Sequence, residues 1–181
     1  NSVYLGASSF SARAKATNFD DSKLLEAIKY AKLRNVSVHL ALNTLIKNEE
    51  FEEAVNLAVK AYNIGVDAII VQDIGLIKVV REKFPNLEVH ASTQCHNYNE
   101  EGINLLKELG ITRVVLAREL SLTEINNIKI DIEKEVFIHG ALCVSYSGCC
   151  LFSSLNGGRS GNRGECVGSC RLPYKLIENN Q

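Results

Sequence analysis

The sequence predicts an α/β fold with a parallel, (β/α) barrel-like sheet of about six strands. Short apolar, β-branched runs alternate with segments of helical period, and polar residues follow most of the runs. This alternation favours a parallel sheet because crossover helices must return the chain to the same edge. With 181 residues and a hydrophobic fraction of 46%, the chain can bury a core without disulfide bonds.

Six runs are predicted as strands because they are short and rich in Val and Ile. They read SVYLGA (2–7), VSVHLAL (36–42), DAIIVQD (67–73), LEVHAS (87–92), TRVVLAR (112–118) and EVFIHGAL (135–142). Between them, apolar residues recur at the spacing of one helix face. Helices are therefore expected at 20–34, 49–64, 74–84, 100–109 and 121–129.

The ends of these helices carry recognisable signals. SLTE at 121–124 predicts a capping box, in which Ser121 and Glu124 each bind a free backbone N–H group of the first turn. Gly65 and Gly110 stand where two helices are expected to end in a left-handed residue, and Pro85 follows a third helix.

Polar side chains stand at or just past the carboxyl ends of successive predicted strands. They are Asn43, Gln72, Asp73, Ser92, Gln94, Arg118, Glu119 and His139. A TIM-barrel-type fold takes its active-site residues from these positions, although each residue alone would also suit a strand cap or a loop start. No glycine-rich phosphate-binding motif follows the early strands, so an open dinucleotide-binding sheet has no support.

The cysteines are concentrated near the end of the sequence. Cys143, Cys150, Cys166 and Cys170 are separated by 7, 16 and 4 positions. Only the last pair has the spacing of a zinc knuckle, whereas iron–sulfur clusters accept looser thiolate spacings. A cluster is therefore preferred to zinc, and Cys95 and Cys149 are expected to be small buried residues rather than ligands.

Charge and hydropathy restrict the partners. A net charge of −1 gives no general attraction to nucleic acid or an anionic membrane, so RNA binding would need a local basic patch. Arg159, Arg163 and Arg171 stand among glycines, where guanidinium groups suit phosphate or carboxylate, or simply form a solvated loop face. No apolar run reaches the roughly 18 residues of a membrane span, and we expect a soluble cytoplasmic protein without a membrane partner.

The segment EVFIHGALCVSYSGCCLFSSLNGGRSGNRGECVGSCRLPY (135–174) resembles the signature of the collagenase-like protease family, peptidase family U32. The resemblance continues upstream through VYLGASSFSARAKATNF, LALNTLIKNEE, VDAIIVQDIGL, VHASTQCHNYNEEG and RVVLARELSLTEI, and covers nearly all of the chain. It implies one barrel-like domain over 1–181, with βα repeats at 1–140 and a cysteine-rich region at 141–174. The usual opening strand and helix and the later domains are missing, so we expect a fragment of a longer protein.

The family resemblance implies two kinds of activity. Some members are described as proteases without an agreed catalytic type, and others are associated with hydroxylation of tRNA uridine, ribosomal RNA cytidine or a quinone precursor. In some of the latter, four cysteines hold a 4Fe–4S cluster. The match assigns this role to Cys143, Cys150 and Cys166, and to Cys170 as the fourth ligand, although some relatives take their last ligand from further along. Cys95 departs from the family pattern, in which Met is common.

We expect an iron–sulfur-dependent hydroxylase acting on a tRNA or rRNA base. Arg118, Arg159, Arg163 and Arg171 would bind phosphate or carboxylate, while Asn43, Gln94, Glu119 and His139 would position the base and move protons.

Two alternatives stay open. One is a peptidase that uses metal-bound water or a Cys143–His139 dyad, although the sequence has no H-E-x-x-H or G-x-S-x-G motif. The other is a non-catalytic subunit, as a homodimer or strand-exchanged oligomer, that completes a partner's site.

Overall fold

The computed structural model describes residues 1–140, 142–147 and 149–177. Six strands form one sheet: β1 (Ser2–Gly6), β2 (Ser37–Leu42), β3 (Ala68–Val71), β4 (Glu88–Ala91), β5 (Arg113–Val115) and β6 (Glu133–Glu135). They lie side by side in the order of the sequence, and every neighbouring pair is parallel. The prediction of a parallel, barrel-like sheet of six strands is confirmed, as a curled half-barrel.

Helices follow the strands. They are α1 (Asp21–Lys32), α2 (Phe51–Asn63), α3 (Ile74–Lys83), α4 (Glu100–Glu108), α5 (Leu122–Asn127) and α6 (Phe152–Gly157), with short 3-10 turns at Asn48–Glu50, Thr93–Cys95, Gly161–Arg163 and Ser169–Arg171. No helix among the described residues combines the length and apolarity that crossing a membrane requires.

The predicted helix ends are confirmed. Ser121 Oγ accepts the Glu124 N–H at 3.3 Å, and Glu124 Oε2 accepts the Ser121 N–H at 2.7 Å, which closes the capping box of α5. Gly65 and Gly110 have φ angles of 85° and 86°, which end α2 and α4 in the left-handed region. These caps stop each helix early enough for the chain to enter the next strand.

The hydrophobic core lies between the sheet and its helices. Alternate residues of β2, Val38, Leu40 and Leu42, point to this side and are fully buried, and Ala54 and Ala58 of α2 belong to the same cluster. Because side chains alternate along a strand, the intervening residues lie on the other, inner face of the curled sheet.

That inner face carries polar side chains near the amino ends of the strands. His39 of β2 and His90 of β4 are both buried, with ring centroids 4.8 Å apart in an edge-to-face arrangement. His90 Nε2 lies 3.3 Å from Glu88 Oε2, and its Nδ1 has no hydrogen-bond partner among the described residues. Two imidazole rings therefore occupy a position that most barrels fill with aliphatic residues.

The sixth strand is misplaced in the sequence prediction. The run at 135–142 was expected to be extended, but β6 covers Glu133–Glu135 and Ile138 is 95% exposed. Arg113 of β5 determines the register, because its guanidinium binds Glu133 at 2.8 Å and Glu135 at 3.3 Å. Ion pairs therefore fix this edge of the sheet, and apolar periodicity does not reveal them.

Candidate functional site

The predicted polar side chains at the ends of β2, β3 and β4 are joined by hydrogen bonds. Asn43 Oδ1 accepts the Ala12 N–H at 2.9 Å, and its Nδ2 donates to Ser92 Oγ at 3.4 Å. Gln72 Nε2 donates to the Gln94 carbonyl oxygen at 3.2 Å. The carboxyl edge of the sheet is thus a connected polar surface, as the strand-end pattern predicts.

Asp73 has a local role in this surface. Its Oδ1 accepts the Leu76 N–H at 2.9 Å and caps α3, and its Oδ2 lies 3.3 Å from the Ile46 N–H group. This carboxylate therefore satisfies backbone donors of its own loop and the preceding one.

Arg118 joins the sheet to the cysteine-rich region. Its Nε donates to Ser147 Oγ at 3.1 Å and its Nη2 to the Ser145 carbonyl oxygen at 3.3 Å, and Glu119 Oε1 lies 3.8 Å from Nη2. Glu119 also acts on Tyr98, whose pKa is raised to about 12 by burial first and by this carboxylate second. Arg118 and Glu119 therefore lie together at the carboxyl end of β5.

Ser147 is the centre of a contact that the sequence prediction missed. It is 3% exposed, and its Oγ lies 3.5 Å from Thr93 Oγ1 as well as bonding Arg118. His96 Nε2 hydrogen-bonds the Ser147 carbonyl oxygen from a left-handed backbone position, φ 55°. His96 and Thr93 lie just after β4, at a strand end where the sequence predicts site residues. Nothing local in the sequence identifies Ser147.

Replacing Ser147 tests this contact. Ser147→Ala removes the acceptor of Arg118 Nε and leaves a half-buried guanidinium N–H without its partner, which costs about 1–3 kcal/mol. We expect faster limited proteolysis within 141–174. Ser154→Ala on α6 should leave the cleavage rate unchanged, because no described residue bonds its hydroxyl group; equal acceleration by both variants would contradict the role of Ser147.

The second half of the cysteine-rich region rests on the first two βα loops. Arg163 Nη1 donates to the Leu45 carbonyl oxygen at 3.0 Å, its Nη2 pairs with Glu50, and Lys15 pairs with Glu165 at 3.2 Å. A polar cavity of about 330 Å³ lies beside these pairs, lined by Ser8, Ser9, Phe10, Ala14, Lys15, Thr44, Glu50, Glu53, Arg163 and Glu165. Arg163 thus connects the cysteine-rich region to the loop between β2 and α2, at the edge of this cavity.

The predicted ligand cysteines are free thiols along this region. A hydrogen bond from the Ser145 backbone, more than any other effect, lowers the pKa of Cys143, whose Sγ lies 3.6 Å from Ser145 Oγ. The Gly168 N–H donates to Cys166 Sγ at 3.3 Å. The contact at Cys143 favours its thiolate, the form in which cysteine binds metal.

The other predicted ligands are placed by the contacts of two neighbouring residues, Gly161 and Arg171. A Cβ placed on Gly161 would lie 3.7 Å from the Cβ of Cys166 and 3.9 Å from that of Cys150, so the two cysteines flank one glycine. Arg171, next to Cys170, donates from Nη2 to the Leu142 carbonyl oxygen at 2.9 Å, beside Cys143.

Cys150 and Cys166 lie on either side of Gly161, whereas the Arg171 side chain links the segments of Cys143 and Cys170. Across residues 1–140, 142–147 and 149–177, no three His, Cys, Asp or Glu side chains stand close enough to hold a metal ion. The donor set, four free cysteines with soft sulfur ligands, nevertheless fits the chemistry of an iron–sulfur cluster.

The two other cysteines differ from each other. Burial raises the pKa of Cys95 to about 12, and its Sγ donates to the Val71 carbonyl oxygen at 3.4 Å, as expected for an inert core thiol. Cys149 was expected to be buried, but it is exposed and its Sγ lies 3.5 Å from His96 Nε2. The Cys149 thiol and the Ser147 carbonyl oxygen therefore approach the same ring nitrogen of His96.

His139 and Arg159 are not joined to the rest of the predicted site. Both are exposed, and neither side chain makes a hydrogen bond or ion pair with any residue that the structure describes. In particular, no hydrogen bond links His139 to Cys143, both of which are described, so the suggested dyad lacks the contact that a nucleophile and base require.

Comparison with known proteins agrees with this fold. A family model described as Peptidase family U32 matches residues 1–181. The chain belongs to peptidase family U32. A solved structure described as the U32 peptidase Mk0906 has the same fold, with a TM-score of 0.63 and 16% sequence identity over 74% of this chain and 58% of that one.

Two U32 relatives are closer in sequence. A 23S rRNA 5-hydroxycytidine synthase of Escherichia coli is 43% identical over 97% of this chain. A tRNA hydroxylation protein P of Haemophilus influenzae is 36% identical over 98% of this chain. The chain spans only 27% and 39% of the lengths of these two relatives.

Proposed function

We propose that this U32 chain is part of an enzyme that hydroxylates an RNA base and depends on a 4Fe–4S cluster. The observation that carries the proposal is the bond of Arg118 to Ser147, which attaches the region of free cysteines to the polar carboxyl edge of the sheet. The names of two relatives, an rRNA hydroxycytidine synthase and a tRNA hydroxylation protein, support RNA as the substrate.

Four cysteines of the chain would hold the cluster: Cys143, Cys150, Cys166 and Cys170. A cluster bound here would supply one-electron chemistry beside the substrate. Since these thiols do not stand close enough among the described residues to form a metal site by themselves, cluster binding would have to draw them together. Zinc is the alternative occupant of the same thiolates.

The strand-end residues would act on the substrate. Asn43, whose amide is held by Ala12 and Ser92, and Gln94, whose Oε1 has no hydrogen-bond partner among the described residues, would present amide groups to the polar edge of a base. Glu119 is a carboxylate that would take a proton from the substrate, and Arg118 beside it would stabilise the negative charge left on the substrate. Arg159, Arg171 and His139 keep their predicted roles in binding phosphate or moving protons.

Iron and sulfide analysis tests the proposal. Protein purified without oxygen should contain about four irons and four acid-labile sulfides per chain and should absorb near 400 nm. Cys143→Ala and Cys166→Ala should each lose most of the bound iron, because each variant removes one thiolate ligand. The loss should appear in both metal content and absorbance.

Cys95→Ala is the matched control, since this thiol is buried at a strand end and should leave the iron content unchanged. Bound zinc without acid-labile sulfide would show that the cysteines form a zinc site instead of a cluster site. Metal-free protein with free thiols would contradict the proposal, and digestion of casein blocked by thiol alkylation would then favour the peptidase.

A further inference from the structure

The cysteine-rich region presents aromatic rings to solvent. Tyr174 is 62% exposed and Phe152 is 39% exposed, and their ring centroids lie 6.1 Å apart at an angle of 54°. Several aliphatic side chains nearby in sequence, including Leu155 and Leu172, are also exposed. Clustered apolar side chains that stay accessible mark a surface for binding rather than a core.

These rings are held in place before any partner arrives. The Tyr174 hydroxyl donates to the Ser169 carbonyl oxygen at 2.8 Å, which fixes the edge of the ring and leaves its body accessible. Arg171 is fixed by its bond to the Leu142 carbonyl oxygen. A preorganised ring and guanidinium lose little conformational entropy on binding, so they suit recognition.

The charge of this part of the chain differs from that of the whole. Residues 140–177 contain four basic side chains, Arg159, Arg163, Arg171 and Lys175, against one acidic side chain, Glu165. The segment is therefore positively charged, although the complete chain has a net charge of −1. A positive segment with exposed rings complements a partner that is both anionic and aromatic.

We propose that Phe152, Arg171 and Tyr174, the aromatic–arginine surface, bind unpaired RNA by stacking on its bases and pairing with its phosphates. The inference rests on the proposed function and names the form of RNA that the site takes. Exposed rings can stack only on bases that are not already stacked in a helix, so single strands and loops fit this surface better than duplexes.

The aromatic–arginine surface lies beside two of the cysteines that would hold the cluster. Arg171 follows Cys170 directly and contacts Leu142, the residue before Cys143. A nucleotide stacked on Tyr174 would thus place its neighbours beside these two cysteines. The surface would hold the strand while the polar strand ends handle the target base.

Fluorescence anisotropy with a labelled oligouridine tests the surface on the complete chain, with the same oligonucleotide annealed to oligoadenosine as the duplex probe. The single strand should bind more tightly than the duplex. Tyr174→Ala should weaken binding of the single strand by about 5- to 150-fold, the value of one stacked base. Tyr174→Phe keeps the ring and should retain most of the affinity, whereas Phe152→Leu keeps apolar character, loses the ring and should weaken binding.

The chain offers a matched control on α1. Tyr30 is also 62% exposed and has an arginine against it, with Arg34 Cζ 3.6 Å from the ring centroid. Tyr30→Ala should leave RNA affinity unchanged. Arg171→Gln should remove about one phosphate contact. The slope of log affinity against log salt concentration should therefore become shallower by ~0.7, the value of one contact for single strands.

The outcomes separate this inference from the proposed function. The binding assay needs neither iron nor turnover, so loss of affinity in Tyr174→Ala supports the surface even if the cluster is absent. Equal affinity for single strand and duplex, or equal losses in Tyr30→Ala and Tyr174→Ala, would overturn it. Unchanged RNA binding in all variants of the surface would also overturn it and would leave these rings to a protein partner.

Discussion

Gly164→Ala should separate the cysteine-rich region from the sheet. A Cβ at this position would lie 2.0 Å from the Ser11 carbonyl oxygen and 2.8 Å from the Ala14 nitrogen, and the backbone has a φ of +78°. Left-handed strain costs about 1–2 kcal/mol for a residue with a Cβ. Moving two backbone segments apart adds about 1–3 kcal/mol. The variant should therefore lose roughly 2–5 kcal/mol of the free energy that holds this contact.

Gly158→Ala provides the control for Gly164→Ala. Gly158 also has a left-handed backbone, with φ +64°. A Cβ there would have no heavy atom of the described residues within 4 Å, apart from its own chain neighbours. Only the strain remains, about 1–2 kcal/mol. Urea unfolding and the rate of proteolysis within 141–174 measure both variants, and indistinguishable effects would show that Gly164 is not a docking point.

Acidification below neutral pH should destabilise the sheet through His39 and His90. Burial, the main cause, lowers the pKa of both histidines from the ordinary value of 6.5, and Arg113 lowers both further. Glu88 acts in the opposite direction on each of them, as Glu135 and Asp67 do on His39.

The sign of the effect follows from proton uptake. Below pH 6.5 the unfolded histidines bind protons that the folded ones still exclude, so the free energy of unfolding falls as the pH falls. The neutral rings contribute fully to the free energy of unfolding above pH 6.5. This contribution is lost as the pH falls from 6.5 to the lowered pKa values of the folded histidines. The slope reaches at most ~1.4 kcal/mol per pH unit for each histidine.

Urea unfolding at a series of pH values between 7 and 5 measures this slope. The double variant His39→Gln/His90→Gln removes both titrating rings and should flatten the slope, whatever its stability at pH 7. His139→Gln changes an exposed histidine and should keep the wild-type slope. A double variant with the wild-type slope would refute the assignment to the buried pair.

The parts of the fold that repeat could be predicted from the sequence. Helix ends at Gly65, Gly110 and Ser121 follow from local backbone chemistry, and five strands follow from short β-branched runs between them. The sixth strand could not be predicted, because its register depends on ion pairs of Arg113 with Glu133 and Glu135 across the sheet. Such pairs join residues that are far apart in the sequence, and they produce no periodic pattern in it.

The candidate site shows the same division. Asn43, Gln94 and Arg118 are found at strand ends because parallel topology places those ends together. The contact of Ser147 with Thr93 and His96 depends on how an irregular loop folds back over the sheet, and spacing does not determine that. The exposure of Cys149 has the same origin, since the folding of this loop leaves Cys149 exposed and its neighbour Cys150 partly buried.

The sequential strand order has a consequence for how the protein matures. Each strand pairs with its neighbour in the sequence, so the sheet can form progressively as the chain is synthesised. The contact of Gly164 with Ser11 instead joins distant parts of the chain and carries the larger entropy of loop closure. We therefore expect the thiols to reach their final positions last, which would make loading of the proposed cluster a late event in biogenesis, after the sheet has assembled.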